Sequence, residues 1–344
     1  MEPDNPPSLP ATPSVNPSLA PPATPQFAGL PEKPDTAIQH IFLGPHGIRA
    51  GWRAGAFLLL FLIFSMVFAI PIVAIFGEFN AKNFTPMAGI ADKLLQLLPM
   101  LAAWAVMALI EQRKPGMYFL ADRRPISHSA TGAVCGFAML SLLVGGLFAG
   151  HWATLGPPEM AGRSVAVTAA TWAIVFLMTA LFEEGAFRCY LLFTLTQGFG
   201  GGKRGFWTAA ALLSVIFGGI HLFNSDESAV GILCAMLMGF VFCVSVRLTG
   251  SAWWAIGFHA AWDWAETFFY GTADSGIVSR GHWLTTIPMG NRLWSGGSTG
   301  PEGSLLFLPT VMLILALLFL LYRRGRTAIP VGGKNSLENG PVAG

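Results

Sequence analysis

Phe182-Glu183-Glu184-Gly185-Ala186-Phe187-Arg188 lies inside a run that is otherwise largely apolar, from Val165 to Phe193. An ionised side chain near the centre of a bilayer costs from ~3 kcal/mol to ~10 kcal/mol or more. Two carboxylates and a guanidinium in such a run must therefore compensate one another. Glu184 and Arg188 are four apart, so on a helix they share a face, with the glutamate on the favourable N-terminal side. Glu183 stands about 100° round the helix from Glu184, at 3.6 residues per turn. The spacing predicts that Arg188 holds Glu184 while Glu183 points toward another helix and is left free to act.

The rest of the chain supplies the membrane. Of 344 residues, 53% are apolar and 11% charged, against about 25% charged in ordinary soluble domains. The net charge of +2 gives no field for nucleic acid. Apolar runs of spanning length follow one another at about 55–76, 94–110, 129–150, 165–197, 206–223, 229–247, 252–270 and 305–322. The predicted fold is all-α, a polytopic membrane bundle of about eight transmembrane helices over 51–326. Eleven of the first 34 residues are Pro, so residues 1–50 are expected to be a disordered cytoplasmic tail. No basic stretch followed by an apolar one marks a signal peptide there. Residues 327–344 are expected to be a second flexible tail.

Lys and Arg set the expected orientation. With the N-terminus inside, the inner segments hold 14 of the 20 basic residues, the outer segments hold 5, and Arg188 lies within a span. That asymmetry predicts both termini in the cytoplasm, for an integral protein of a prokaryotic cell membrane. The outer segment 271–304, rich in Gly and Ser and carrying Trp283 and Trp294, reads as a linker, with a cover over the site as the alternative. Cys135, Cys189, Cys234 and Cys243 all fall in predicted spans without a C-x-x-C pair, which points to packing rather than disulfides or zinc.

Two further spans carry polar groups. Phe217-Gly218-Gly219-Ile220-His221 puts the ring and the imidazole on one face, with paired glycines that permit close helix approach. His259-Ala260-Ala261-Trp262-Asp263 again puts two polar side chains on one face. A carboxylate in an apolar pocket next to an arginine is poised as a general base. With one histidine it can take a proton from water, while the other histidine and its neighbour donate to an oxyanion. Those parts suit hydrolysis of an amide bond. The same Glu, His and Asp side chains are also legitimate Zn²⁺ ligands. The span boundaries put His221 about 15 residues in, or ~23 Å, and His259 about 7 residues in, or ~10 Å. Sharing one site requires the 206–223 helix to start deeper, tilt or break, or the boundaries to lie elsewhere.

Taken in order on separate apolar helices, Glu-Glu-x-x-x-Arg (183–188), Phe-x-x-x-His (217–221) and His-x-x-x-Asp (259–263) resemble the CPBP family. These are the CAAX-type prenyl-protein endopeptidases and bacteriocin-processing enzymes, also called Abi. Gly-Gly-Ile-His-Leu-Phe-Asn (218–224) and Gly-Ser-Ala-Trp-Trp-Ala-Ile-Gly-Phe-His (250–259) are similar to bacterial members, and the resemblance covers about 165–270.

The resemblance implies an eight-helix intramembrane endopeptidase acting near a membrane-embedded or prenylated C-terminus. Glu183 would activate water with His221, Glu184 and Arg188 would be the supporting pair, and Phe217 would shape the substrate site. His259 and residue 263 would stabilise the oxyanion. The implied partners are a peptide or prenylated peptide and the lipid bilayer; no metal cofactor is expected, with Zn²⁺ as the alternative. The family's third motif commonly ends in Asn, whereas this chain has Asp263. An ionised Asp only accepts hydrogen bonds, so it is protonated, or orients His259, or binds a metal. The competing functions are an inactive membrane scaffold and an ion- or proton-coupled transporter.

Overall fold

The computed structural model describes residues 41–44, 47–77, 84–224 and 226–323. The chain divides into residues 1–47 and 48–344. Of the first unit, 41–44 and 47 are described, with Leu43–Gly44 extended. Most of the tail expected over 1–50, and all of that expected over 327–344, lies outside the described residues.

The second unit is a polytopic helical bundle. Its long helices are α1 (Ala50–Phe76), α2 (Pro86–Ile110), α3 (Pro125–Ala149) and α4 (Arg163–Glu184). Helix α4 runs on through a π-helical stretch, Gly185–Leu191, into α5 (Leu192–Gly198). Then come α6 (Gly202–Ile220), closed by a 3₁₀ turn at His221–Phe223, and α7 (Ala229–Thr249). Helix α8 (Trp253–Trp264) also continues as a π-helical stretch, Ala265–Phe269. A short α9 (Arg292–Ser295) precedes α10 (Phe307–Tyr322). Among the described residues, six helices are long and apolar enough to cross a membrane. The remaining two expected spans correspond to α8 with its π extension and to α10, which are shorter.

Local signals fix several ends. Thr85 accepts from the Ala88 amide and Pro86 opens α2; Ser228 accepts from the Gly231 amide at the start of α7, as N-caps do. Gly250, at φ +83°, ends α7 in the left-handed conformation that glycine adopts without strain. Helix α1 turns Leu59, Leu62, Met66, Val67 and Ile70 outward, an apolar face that only lipid or a partner could cover.

The connecting segments gather at two ends. At one end Arg53 meets Glu111 at 3.2 Å, Arg113 meets Glu111 at 3.3 Å, and Tyr190 donates to Glu111 at 2.8 Å. The Ala252 amide donates to the Phe119 carbonyl there, and Ser251 donates to Asp122. At the other end Arg280 bonds Phe84 and Glu159 bonds Trp283 through the backbone. Asn224 donates to the Ser275 carbonyl at 3.0 Å, and Thr299 to the Asp226 carbonyl at 3.0 Å. Segments read from the sequence as lying on one side are thus joined on one side.

The segment 271–304 is not a simple linker. Strands β1 (Ala153–Gly156) and β2 (Thr285–Pro288) pair antiparallel, with Thr154 opposite Ile287. Trp152 stacks on Trp294 at 5.0 Å. Most of its glycines make tight contacts rather than slack chain: Gly300 has φ +103°, and a Cβ there would run into the Ala273 carbonyl. Ser275, Ser279, Ser295 and Ser304 are buried. The result is an ordered cap over one end of the bundle.

Helix α8 is set by glycine. A Cβ at Gly132 or Gly136 on α3 would collide with the backbone of Trp254 or Phe258, and one at Gly257 with Ser129. Backbones in such contact gain van der Waals packing and need no side chain between them. Ser251, Ala252 and Trp254 are fully buried. Helix α8 therefore begins inside the protein, on the 119–122 segment. The sequence put the deeper start on the His221 helix; it is the His259 helix whose first residues are buried.

Candidate active site

Glu184 closes α4 and is fully buried. Its Oε1 lies 3.1 Å from Arg188 Nη1 and accepts a hydrogen bond from His259 Nδ1 at 2.9 Å. The i,i+4 pair read from the sequence is therefore present. The link to His259 was not foreseen, because nothing in the spacing of one helix reports which other helix it faces.

Arg188 sits in the π-helical stretch, where the wider turn re-aims side chains and where functional sites are often found. Its guanidinium carbon lies 4.3 Å from the Phe217 ring, 5.2 Å from Phe242 and 5.7 Å from Phe187. Ring faces attract a desolvated cation, so the charge is held by Glu184 and by three aromatic rings. Gly239 makes the room: a Cβ there would stand 3.3 Å from Arg188 Nη2.

Three carboxylates converge on one imidazole. Besides Glu184, His259 Nε2 faces Asp263 Oδ2 at 3.4 Å and Glu183 Oε2 at 3.8 Å. Both distances exceed the 2.7–3.2 Å of a normal N–H···O bond. The Phe242 ring stacks on the imidazole at 5.5 Å and 20°, so one ring backs both Arg188 and His259. Glu183 is the open member, with 23% of its side chain exposed against 0% for Glu184 and 10% for Asp263.

His221 stands apart from this contact network. Its Nδ1 donates to the Phe217 carbonyl at 2.8 Å, and among the described residues it is not hydrogen-bonded to Glu183. The Phe217 ring connects it, lying 5.2 Å from the imidazole and 4.3 Å from the Arg188 guanidinium carbon. Phe217 itself is only 6% exposed, which makes it a wall for Arg188 as well as for any cleft. Of the paired glycines, Gly218 packs on Met236 and Ile232 of α7, whereas a Cβ at Gly219 would meet nothing.

Sequence reasoning missed Phe242, Gly239 and the Gly132/Gly136 contact. The last had a legible signal in its Gly-x-x-x-Gly spacing; an aromatic among 27 Phe had none. Among the described residues, Glu266, Asp274 and Glu302 bring three carboxylate oxygens within 4.8 Å of one another.

Residues 165–265 match the family model described as type II CAAX prenyl endopeptidase Rce1-like. The match contains all seven residues singled out from the sequence, from Glu183 to Asp263. No curated protein and no solved structure matches the chain.

Proposed function

We propose that this integral membrane protein is a CAAX-type endopeptidase that cleaves near a prenylated or membrane-embedded C-terminus, using a glutamate and histidines but no metal. The family match over 165–265 supports CAAX-type protease activity in general. The observation that carries the finer reading is the convergence of Glu183, Glu184 and Asp263 on His259.

In this reading Glu183, the most accessible of the three carboxylates, takes a proton from water. His221 would share that proton through the water itself, with its Nδ1 held by the Phe217 carbonyl. The water oxygen attacks the scissile carbonyl carbon, and the proton passes to the departing amine as the C–N bond breaks. His259 is fixed through Nδ1 by Glu184, while the long contacts at Nε2 leave its N–H open to the developing oxyanion. Asp263 orients His259 rather than donating to the oxyanion, which answers why an acceptor can stand where the family commonly has Asn. Glu184 and Arg188 are the buried brace. The basic residues favour both termini in the cytoplasm of a prokaryotic cell.

The test is cleavage of a farnesylated C-a-a-X peptide, beside unmodified peptides, by the purified protein and its Glu183→Gln variant. Loss of cleavage in the variant supports the reading. A variant that cleaves as well as the original overturns it, and a protein that moves protons without cleaving peptides is a transporter.

A further inference from the structure

We propose that Glu266, Asp274 and Glu302 form a binding site for a hard divalent cation, Ca²⁺ by the chemistry of its donors, joining the 271–304 cap to the helix that carries His259. The three residues lie outside the matched stretch 165–265, and the inference does not rest on the peptidase reading.

One carboxylate oxygen from each residue lies within 4.8 Å of the others. Oxygens of one Ca²⁺ shell, at 2.3–2.6 Å from the ion, lie no more than about 4.6–5.2 Å apart, a spacing compatible with one shared ion. Glu266 is fully buried, and neither of its carboxylate oxygens has a hydrogen-bond partner. A buried, unpartnered carboxylate demands a cation or a proton. Among the described residues no Lys or Arg forms an ion pair with any of the three. The nearest carboxylate on the same helix, Asp263, adds negative charge rather than removing it.

The partners of the other two carboxylates are arranged as supports. Trp262 Nε1 donates to Glu302 Oε1 at 2.9 Å, and Ser275 Oγ to Oε2 at 2.9 Å. Thr267 Oγ1 donates to Asp274 Oδ2 at 3.3 Å. Each oxygen keeps a lone pair for a further bond, and such outer contacts are what orient metal-ligating carboxylates. The donors are all oxygen, with no imidazole or thiolate, which suits Ca²⁺, Mg²⁺ or Mn²⁺ rather than zinc or copper. A site made of several protein carboxylates favours Ca²⁺, because Mg²⁺ keeps most of its waters and is seldom held by an all-protein cage.

Two ligands come from the cap and one from α8's π-helical extension, three residues after Asp263. An ion there would close the cap onto the segment that positions Asp263 and His259. Gly300, whose missing Cβ would lie 3.3 Å from Glu266 Oε1, lets the cap backbone come down over the cluster.

The experiment uses the full chain in detergent, stripped with EGTA, then titrated with CaCl₂ or MgCl₂ by calorimetry with parallel thermal melts. A single Ca²⁺ per chain and a raised Tm are expected, with Mg²⁺ binding more weakly. Glu266→Gln and Glu302→Gln should each weaken Ca²⁺ binding about tenfold or more. No bound Ca²⁺ and no change in Tm at millimolar concentration would overturn the proposal without any variant having to fold. Unchanged binding in both variants would overturn the location, and tighter binding of Mg²⁺ would overturn the assignment to Ca²⁺. None of these readouts uses peptide cleavage, so failure here is separable from failure of the peptidase reading.

Discussion

Glu184 Oε1 lies 2.9 Å from His259 Nδ1, although the two residues are 75 positions apart. The same oxygen faces Arg188 Nη1 at 3.1 Å. One buried carboxylate therefore ties the end of α4 to the middle of α8 and fixes which way the imidazole points. The first prediction follows from its burial. Arg188→Met leaves Glu184 without its cation and should destabilise the protein by about 3–5 kcal/mol, as when one partner of a buried pair is removed. Adding Glu184→Gln should recover much of that loss, by the logic of a double-mutant cycle. Thermal melts of the three proteins in detergent measure it, and additive losses would show that the pair is not a unit.

Asp263 separates an orienting role from others. Asp263→Asn keeps the shape and one acceptor, so cleavage should stay within about tenfold of the original, whereas Asp263→Ala should lose about 100-fold or more. Peptide kinetics on both variants provide the measure. An Asn variant as damaged as the Ala variant would mean that the negative charge itself is required.

Phe242 backs both Arg188 and His259. Phe242→Leu removes a cation–π contact worth about 0.5–2 kcal/mol together with the stacked face of the imidazole. It should lower kcat about tenfold while leaving KM nearly unchanged, because the ring positions catalytic groups rather than substrate. A change confined to KM would place Phe242 in substrate binding instead.

The start of α8 should respond to acid through Asp122. Burial opposes ionisation of its carboxyl, but hydrogen bonds from Ser251, the Arg124 amide and His128 outweigh it and hold the group below its ordinary value. A carboxyl with a lowered folded pKa contributes stability above its unfolded value of about 3.9 and loses it as pH falls through the folded one. Melts between pH 6 and pH 3 should show that loss, and Asp122→Asn should flatten the acid limb. An unchanged slope in the variant would assign the acid sensitivity to other carboxylates.

Much of this was legible because one physical rule dominates: charge in an apolar run is costly, so Glu183, Glu184, Arg188, His221, His259 and Asp263 stand out against their surroundings. Apolar length alone located the helices, and the grouping of connecting segments followed from alternation. What was hidden depends on contacts between helices. The π-helical stretches at Gly185–Leu191 and Ala265–Phe269 leave no mark on hydropathy. The cap looked like linker because Gly and Ser content does not distinguish slack chain from tight turns with buried hydroxyls. Glu266 lies in the 252–270 run and the same rule should have flagged it; Asp274 and Glu302 escaped notice because only the folded cap brings them to it.

In the proposed reaction Glu183 drives peptide hydrolysis without a transition metal. The most direct measurement is cleavage of a farnesylated C-a-a-X peptide by the purified protein in the presence of 1,10-phenanthroline, which strips zinc but leaves Ca²⁺ in place, beside the Glu183→Gln variant. Cleavage should resist the chelator and fall about 1,000-fold or more in the variant, of the order lost when a general base is removed. Cleavage abolished by phenanthroline and restored by zinc, or retained by Glu183→Gln, would contradict it.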